Sequence, residues 1–169
     1  GRTFQQRLTV KMDPRVKTPL AGLQLQSTLS MQVYDGIRKT AEALQQVNAV
    51  RARLDAAKAT AAAGPLAEAI AALDQKLVPL AGQATGRRGA RGASPATRDL
   101  GRLHGELAQV FGLLQEADAA PPSQNVAAAR DLTAALAPLL AKWQQVRGTD
   151  LPAINAKLKQ AGLAEIVLK

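Results

Sequence analysis

The chain has no cysteine and a single histidine, His104. Without thiols there is no disulfide, no thiol nucleophile and no cysteine-held zinc or iron–sulfur centre. One imidazole cannot build a histidine-rich metal site. Aromatic side chains are almost as scarce: Phe4, Tyr34, Phe111 and Trp143 are the whole set, 2% of 169 residues. Sandwiches and barrels lean on aromatic and β-branched residues, so this scarcity argues against an all-β fold. No run of about 18 apolar residues occurs, and no membrane-spanning helix is expected. No signal peptide is visible either. The sequence opens Gly1-Arg2-Thr3 without a methionine and is read as a piece of a longer polypeptide, so the missing signal says nothing of the compartment.

What is abundant is alanine, 35 residues, and leucine, 24. Both favour helices, and 169 residues suffice for one domain with a sizeable core. The net charge of +9 is concentrated. Arg2, Arg7, Lys11, Arg15 and Lys17 face only Asp13 in the first 17 residues. Arg87, Arg88, Arg91, Arg98 and Arg102 face only Asp99 across 83–102. The remainder is nearly neutral. A nucleic-acid binder built on a helix would carry a basic stripe along it, which is absent.

In residues 3–12, Phe4, Leu8, Val10 and Met12 fall at even positions, interrupted by Gln6, the pattern of a half-buried strand. Asp13-Pro14 ends it, and 14–26 reads as an extended connector. Ser27 or Ser30 is placed to cap a first helix reaching about Ala62, with Val33, Ile37, Leu44, Val47 and Leu54 along an imperfect seam. Gly64-Pro65 separates it from a second helix whose seam is Leu66, Ile70, Leu73, Leu77 and Leu80, ended by Pro79 and Gly82. Residues 82–95 are glycine-rich, lack large apolar groups and read as a flexible loop. Ser94-Pro95 opens a third helix with Leu100, Leu103, Leu107, Val110 and Leu114 on one face. Pro121-Pro122 breaks the chain, and Ser123 caps a fourth carrying Leu132, Leu136, Leu139, Trp143 and Val146, with a kink expected at Pro138. Gly148-Thr149-Asp150 ends it and caps a short fifth helix over 151–161. Gly162 suits a left-handed cap that returns Leu163 to Leu158. The expected fold is all-α: an up-down-up-down four-helix bundle with a short fifth C-terminal helix and an N-terminal β-strand or extended segment.

No catalytic, cofactor-binding or metal-binding set emerges. His104 has no orienting partner in sequence and reads as a boundary residue. Glu116 and Asp118, two apart at a helix end, point in different directions. Gly101, Gly105, Ala108 and Gly112 form a small-residue stripe, expected to admit a neighbouring helix. Arg87, Arg88 and Arg91 among glycines are candidate contacts for an anionic partner such as RNA or lipid. They lack the interleaved aromatics of a stacking platform, and nucleic acid is not the expected partner.

Two stretches carry a resemblance. One is Leu8-Thr9-Val10-Lys11-Met12-Asp13-Pro14-Arg15-Val16-Lys17-Thr18-Pro19 with Leu23, Gln26, Ser30 and Tyr34 after it. The other is Trp143, then Asp150-Leu151-Pro152-Ala153-Ile154-Asn155, Leu158 and Gly162-Leu163. Together they resemble the C-terminal helical region of bacterial BNR-repeat, sortilin-like β-propeller proteins, often labelled glycosyl hydrolases. The resemblance implies that residues 1–19 are the closing strand and connector of a preceding β domain and that 20–169 are the helical domain. It further implies an exported parent, periplasmic or secreted, whose hydrolytic residues lie in the propeller. None of them maps here, and no cofactor is implied. The fragment then serves as a non-catalytic accessory domain, partnered by the preceding β-propeller or β domain of its own polypeptide. The alternatives from composition are a free-standing helical interaction or sensor module and weak nucleic-acid binding through the basic segments.

Overall fold

A computed structural model of the chain describes residues 2–61, 64–81 and 98–168. It is an all-α helical bundle. Five α-helices are described: α1 (Leu20–Thr60), α2 (Pro65–Ala81), α3 (Leu100–Gln115), α4 (Ser123–Gln145) and α5 (Leu151–Gln160), with a π-helical turn, Val146–Asp150, between the last two.

The 41 residues of α1 make a rod about 60 Å long at 1.5 Å per residue. It starts at Leu20, seven residues before Ser27, and neither serine caps it. Pro19 stands at the N-cap without a side-chain bond, and its carbonyl accepts from Gly22 and Leu23. Most of the expected 14–26 connector is therefore the first two turns of the helix. Its seam contains Gly36 and Thr40, both buried, which is why a purely apolar pattern looked broken there.

The second and third helices lie one after the other along α1. Leu66 sits near Thr60 and Ala61, while Arg51 pairs with Asp74 at 3.0 Å, so α2 runs antiparallel to the C-terminal half of α1. Thr40 meets His104, and Ser30 meets Gln115. Residue numbers rise on α3 as they fall on α1, so α3 is also antiparallel and covers the N-terminal half. The strict up-down-up-down alternation therefore gives way to up-down-down-up. Helical periodicity marks the buried face of a segment but carries no sign of its direction. Pro79 does not end α2, which runs on to Ala81.

α4 runs parallel to α1, with Leu136 beside Gly36 and Trp143 bonded to Gln46. Pro122 occupies its N-cap and Ser123 is its first residue; Pro138 lies inside it. At Val146–Asp150 the Leu151 N–H reaches back to the Val146 carbonyl, five residues away. The buried series Leu139, Trp143, Val146, Leu151, Ile154, Leu158 takes steps of four, three, five, three and four. The wide turn absorbs the step of five and keeps both helices facing the core. α4 and α5 thus form one rod, and α5 lies against α2, where Lys76 meets Asp150 at 2.7 Å. The molecule is a bundle of three rods, two of them made of two helices each.

Of the small residues on α3, Gly101 lies against α1, where a side-chain carbon would fall 3.9 Å from Leu44 Cδ2, but Gly105 and Gly112 admit no neighbour. A side chain at Gly105 or Gly112 would meet nothing within 4 Å. The close approaches are on α1. A side-chain carbon at Gly22 would fall 2.8 Å from Ala120 Cβ, and one at Gly36 would fall 3.2 Å from Leu107 Cδ1. α3 begins not at Ser94-Pro95, which lies outside the described residues, but at Leu100. There Asp99 accepts from the Arg102 N–H at 2.8 Å.

Residues 2–12 enter no strand; among the described residues none of them is hydrogen-bonded to the rest of the chain. A lone strand has nothing to pair with, and the C-terminal tail is engaged with α5. Gly162, at φ +70, closes α5 with Leu163 N–H on Leu158 O at 2.9 Å and its own N–H on Lys159 O, the double bond of a Schellman cap. Asn155 then accepts from the Ile166 N–H (2.8 Å) and donates to its carbonyl (3.0 Å), seating the buried Ile166 on the core. Asn155→Leu removes both bonds and should cost about 1–3 kcal/mol. The check is amide exchange: Ile166 should become fast while Leu107 stays slow.

Candidate interaction surface

The N-terminal half of α1 and all of α3 share three polar contacts. Farthest in, Thr40 is fully buried, its Oγ1 2.9 Å from the carbonyls of Gly36 and Ile37 and 3.0 Å from His104 Nδ1. Thr40 Oγ1 and His104 Nδ1 share one hydrogen bond, its direction set by the imidazole tautomer, while the two carbonyls can only accept. The lone histidine is thus a helix-to-helix strut. One turn past Val33, Ser30 Oγ accepts from Gln115 Nε2 at 2.7 Å. Nearest the helix end, Gln26 Nε2 donates to the carbonyls of Leu114 and Ala117, satisfying groups that the end of α3 leaves free.

Outside this line lies an open groove of about 490 Å³. Met31 and Tyr34 from α1 and Phe111 from α3 line it together with the polar Ser27, Ser30 and Gln115, and with Asp118 just beyond the end of α3. The Tyr34 and Phe111 rings tilt at 42° with centroids 6.1 Å apart. Met31 is 64% exposed and Tyr34 52%. Thr18 Oγ1 donates to the backbone carbonyl of Asp118 at 2.6 Å, pinning the segment that leads into α1.

Several carboxylates along α1, α3 and the arm are spent on neighbouring cations. Lys39 and then Arg38 hold the Asp35 carboxyl below its ordinary range. Glu106 is lowered too, first by its bond to Arg102, with Arg98 adding to it. Asp13 is lowered by Arg15, its side chain first and its backbone N–H second. Apart from the Tyr34 phenol, Asp118 is the one ionisable group lining the groove. A thioether and two rings, rimmed by hydroxyls and amides, suit apolar side chains of another surface.

Of the residues singled out from sequence, Trp143 is a core residue and His104 a strut. Arg87, Arg88 and Arg91, with the whole loop 82–95, lie outside the described residues. The groove was not foreseen. Its signal was there: in an aromatic-poor chain, Tyr34 and Phe111 each sit one place off a seam residue, Val33 and Val110. Among the described residues no His, Asp or Glu cluster can hold a metal ion, and no helix is long and apolar enough to cross a membrane. Compared with protein families, with curated proteins and with solved structures, the chain matches none.

Proposed function

We propose that the chain is a non-catalytic helical accessory domain that docks beside a β domain. In this reading residues 1–19 close that β domain and connect it to the bundle. The larger protein is the exported BNR-repeat, sortilin-like kind that the sequence resembles, working in the periplasm or outside the cell, and any glycoside hydrolysis belongs to its propeller. The observation that carries the reading is the arm. Phe4, Leu8 and Val10 are 86%, 86% and 88% exposed beside a finished core. Apolar side chains in alternation, with every backbone donor and acceptor free, are what a strand looks like without its sheet.

The test is amide exchange at Leu8 and Val10. Fast exchange is expected in the dilute 169-residue chain and slow exchange in the polypeptide encoded by the whole reading frame. Strong protection in a verified monomer of the short chain would make the arm an integral part of the bundle and sink the reading. The purified short chain should also turn over no aryl glycoside; turnover abolished by a point change within 1–169 would show a catalytic site of its own.

A further inference from the structure

The large apolar side chains left exposed among the described residues are gathered at one end. Four are on the arm: Phe4, Leu8, Val10 and Met12. Four more, Leu20, Leu25, Met31 and Tyr34, are on the first four turns of α1. Leu113 is near the end of α3, and only Val167 lies elsewhere. Apolar exposure gathered in this way marks an interaction site more often than chance does.

Resting on the accessory-domain reading, we infer that the groove between α1 and α3 is the seat of the β domain that takes residues 3–12 as a strand. The tether decides the place. Asp13 accepts from the Val16 N–H at 3.0 Å to form a turn, and its carboxylate holds Arg15. Thr18 is fastened to the carbonyl of Asp118, a groove residue. Five residues separate Asp13 from Thr18, so a strand ending there lies within about 17 Å of that contact even at full stretch. Strands beside it in a sheet follow at about 4.8 Å intervals. A sheet built on this strand is therefore within reach of the end of the bundle that carries Leu20, Met31, Tyr34 and Phe111. The arm itself is not the occupant: its root is fixed at the groove, yet its own apolar side chains stay in solvent.

Hydroxyl-radical footprinting tests this, because the thioether of Met31 and the ring of Tyr34 oxidise readily when exposed. Both should oxidise several-fold more slowly in the whole polypeptide than in the 169-residue chain, with buried Trp143 as the unchanged control. Met31→Glu with Tyr34→Glu, both at exposed positions, should leave the bundle folded. In the whole polypeptide the pair should speed tryptic cleavage after Arg15 and Lys17. Equal oxidation of Met31 and Tyr34 in the two forms, with Leu8 and Val10 protected in the longer one, overturns this inference and leaves the accessory-domain reading standing. No protection at either place, or a reading frame without a folded domain before the arm, overturns both. Protection that grows with concentration in the short chain alone assigns the groove to a second copy and also overturns the inference.

Discussion

Trp143→Ala should lower the melting temperature by roughly 6–20 °C. Truncating a core tryptophan costs roughly 3–5 kcal/mol, and each kcal/mol moves the midpoint of a domain this size by roughly 2–4 °C. Trp143 is 2% exposed, on α4 facing α1, and its indole N–H donates to Gln46 Oε1 at 3.1 Å. The substitution empties the space and strips Gln46 of its better donor; Arg147 remains at 3.4 Å. Trp143→Phe keeps most of the volume and loses only the bond, so it should recover most of the loss. Thermal unfolding followed by circular dichroism reads both. A shift of one or two degrees for Trp143→Ala would mean that α4 does not pack here against α1.

The second large effect is expected where α1, α3 and α4 meet. A side-chain carbon at Gly36 would lie 3.2 Å from Leu107 Cδ1 and 3.6 Å from Leu136 Cδ2; Leu107 is fully buried. Leu107→Ala opens a cavity and should cost about 2–5 kcal/mol. Gly36→Leu forces extra atoms into the same layer and should cost about 1–3 kcal/mol, less whatever the helix gains from losing a glycine. Together the two changes roughly exchange volume across the interface. The double variant should then be more stable than the sum of the single losses by about 0.5–3 kcal/mol, the range seen for residues in contact. Urea unfolding of the four proteins supplies the cycle. Simple additivity would show that Gly36 and Leu107 do not share a layer.

The seams of α2, α3 and α4 were legible because each repeats a three-and-four spacing without interruption. The seam of α1 was harder to read, since Gly36 and Thr40 carry buried positions with no apolar signature of their own. Its start is hidden for a related reason: Ser27 and Ser30 have the cap chemistry, whereas Pro19 sets the first turn through its carbonyl alone. The fifth helix reads as separate from sequence because Gly148-Thr149-Asp150 resembles a stop followed by a cap. The step of five between Val146 and Leu151 was the better clue to a wide turn that never leaves the helix. The groove lay beyond periodicity altogether. Met31 and Tyr34 fall outside the seam of α1, where an exposed apolar residue is ordinary until the fold sets it beside Phe111.

An odd number of rods has a consequence for mechanics. In a bundle of four alternating helices the chain leaves at the end where it entered. Here α1 and the α4–α5 rod run the same way, so the chain enters beside Leu20 and departs beyond Gln160, on the order of 50 Å away by helical rise. Anything fused before the arm and anything fused after Leu168 would join the bundle far apart along α1, the second join lying back near the level of Asn155, where Ile166 is bonded. A pull between them would load the rods lengthwise, in shear, and would not peel one helix from the next.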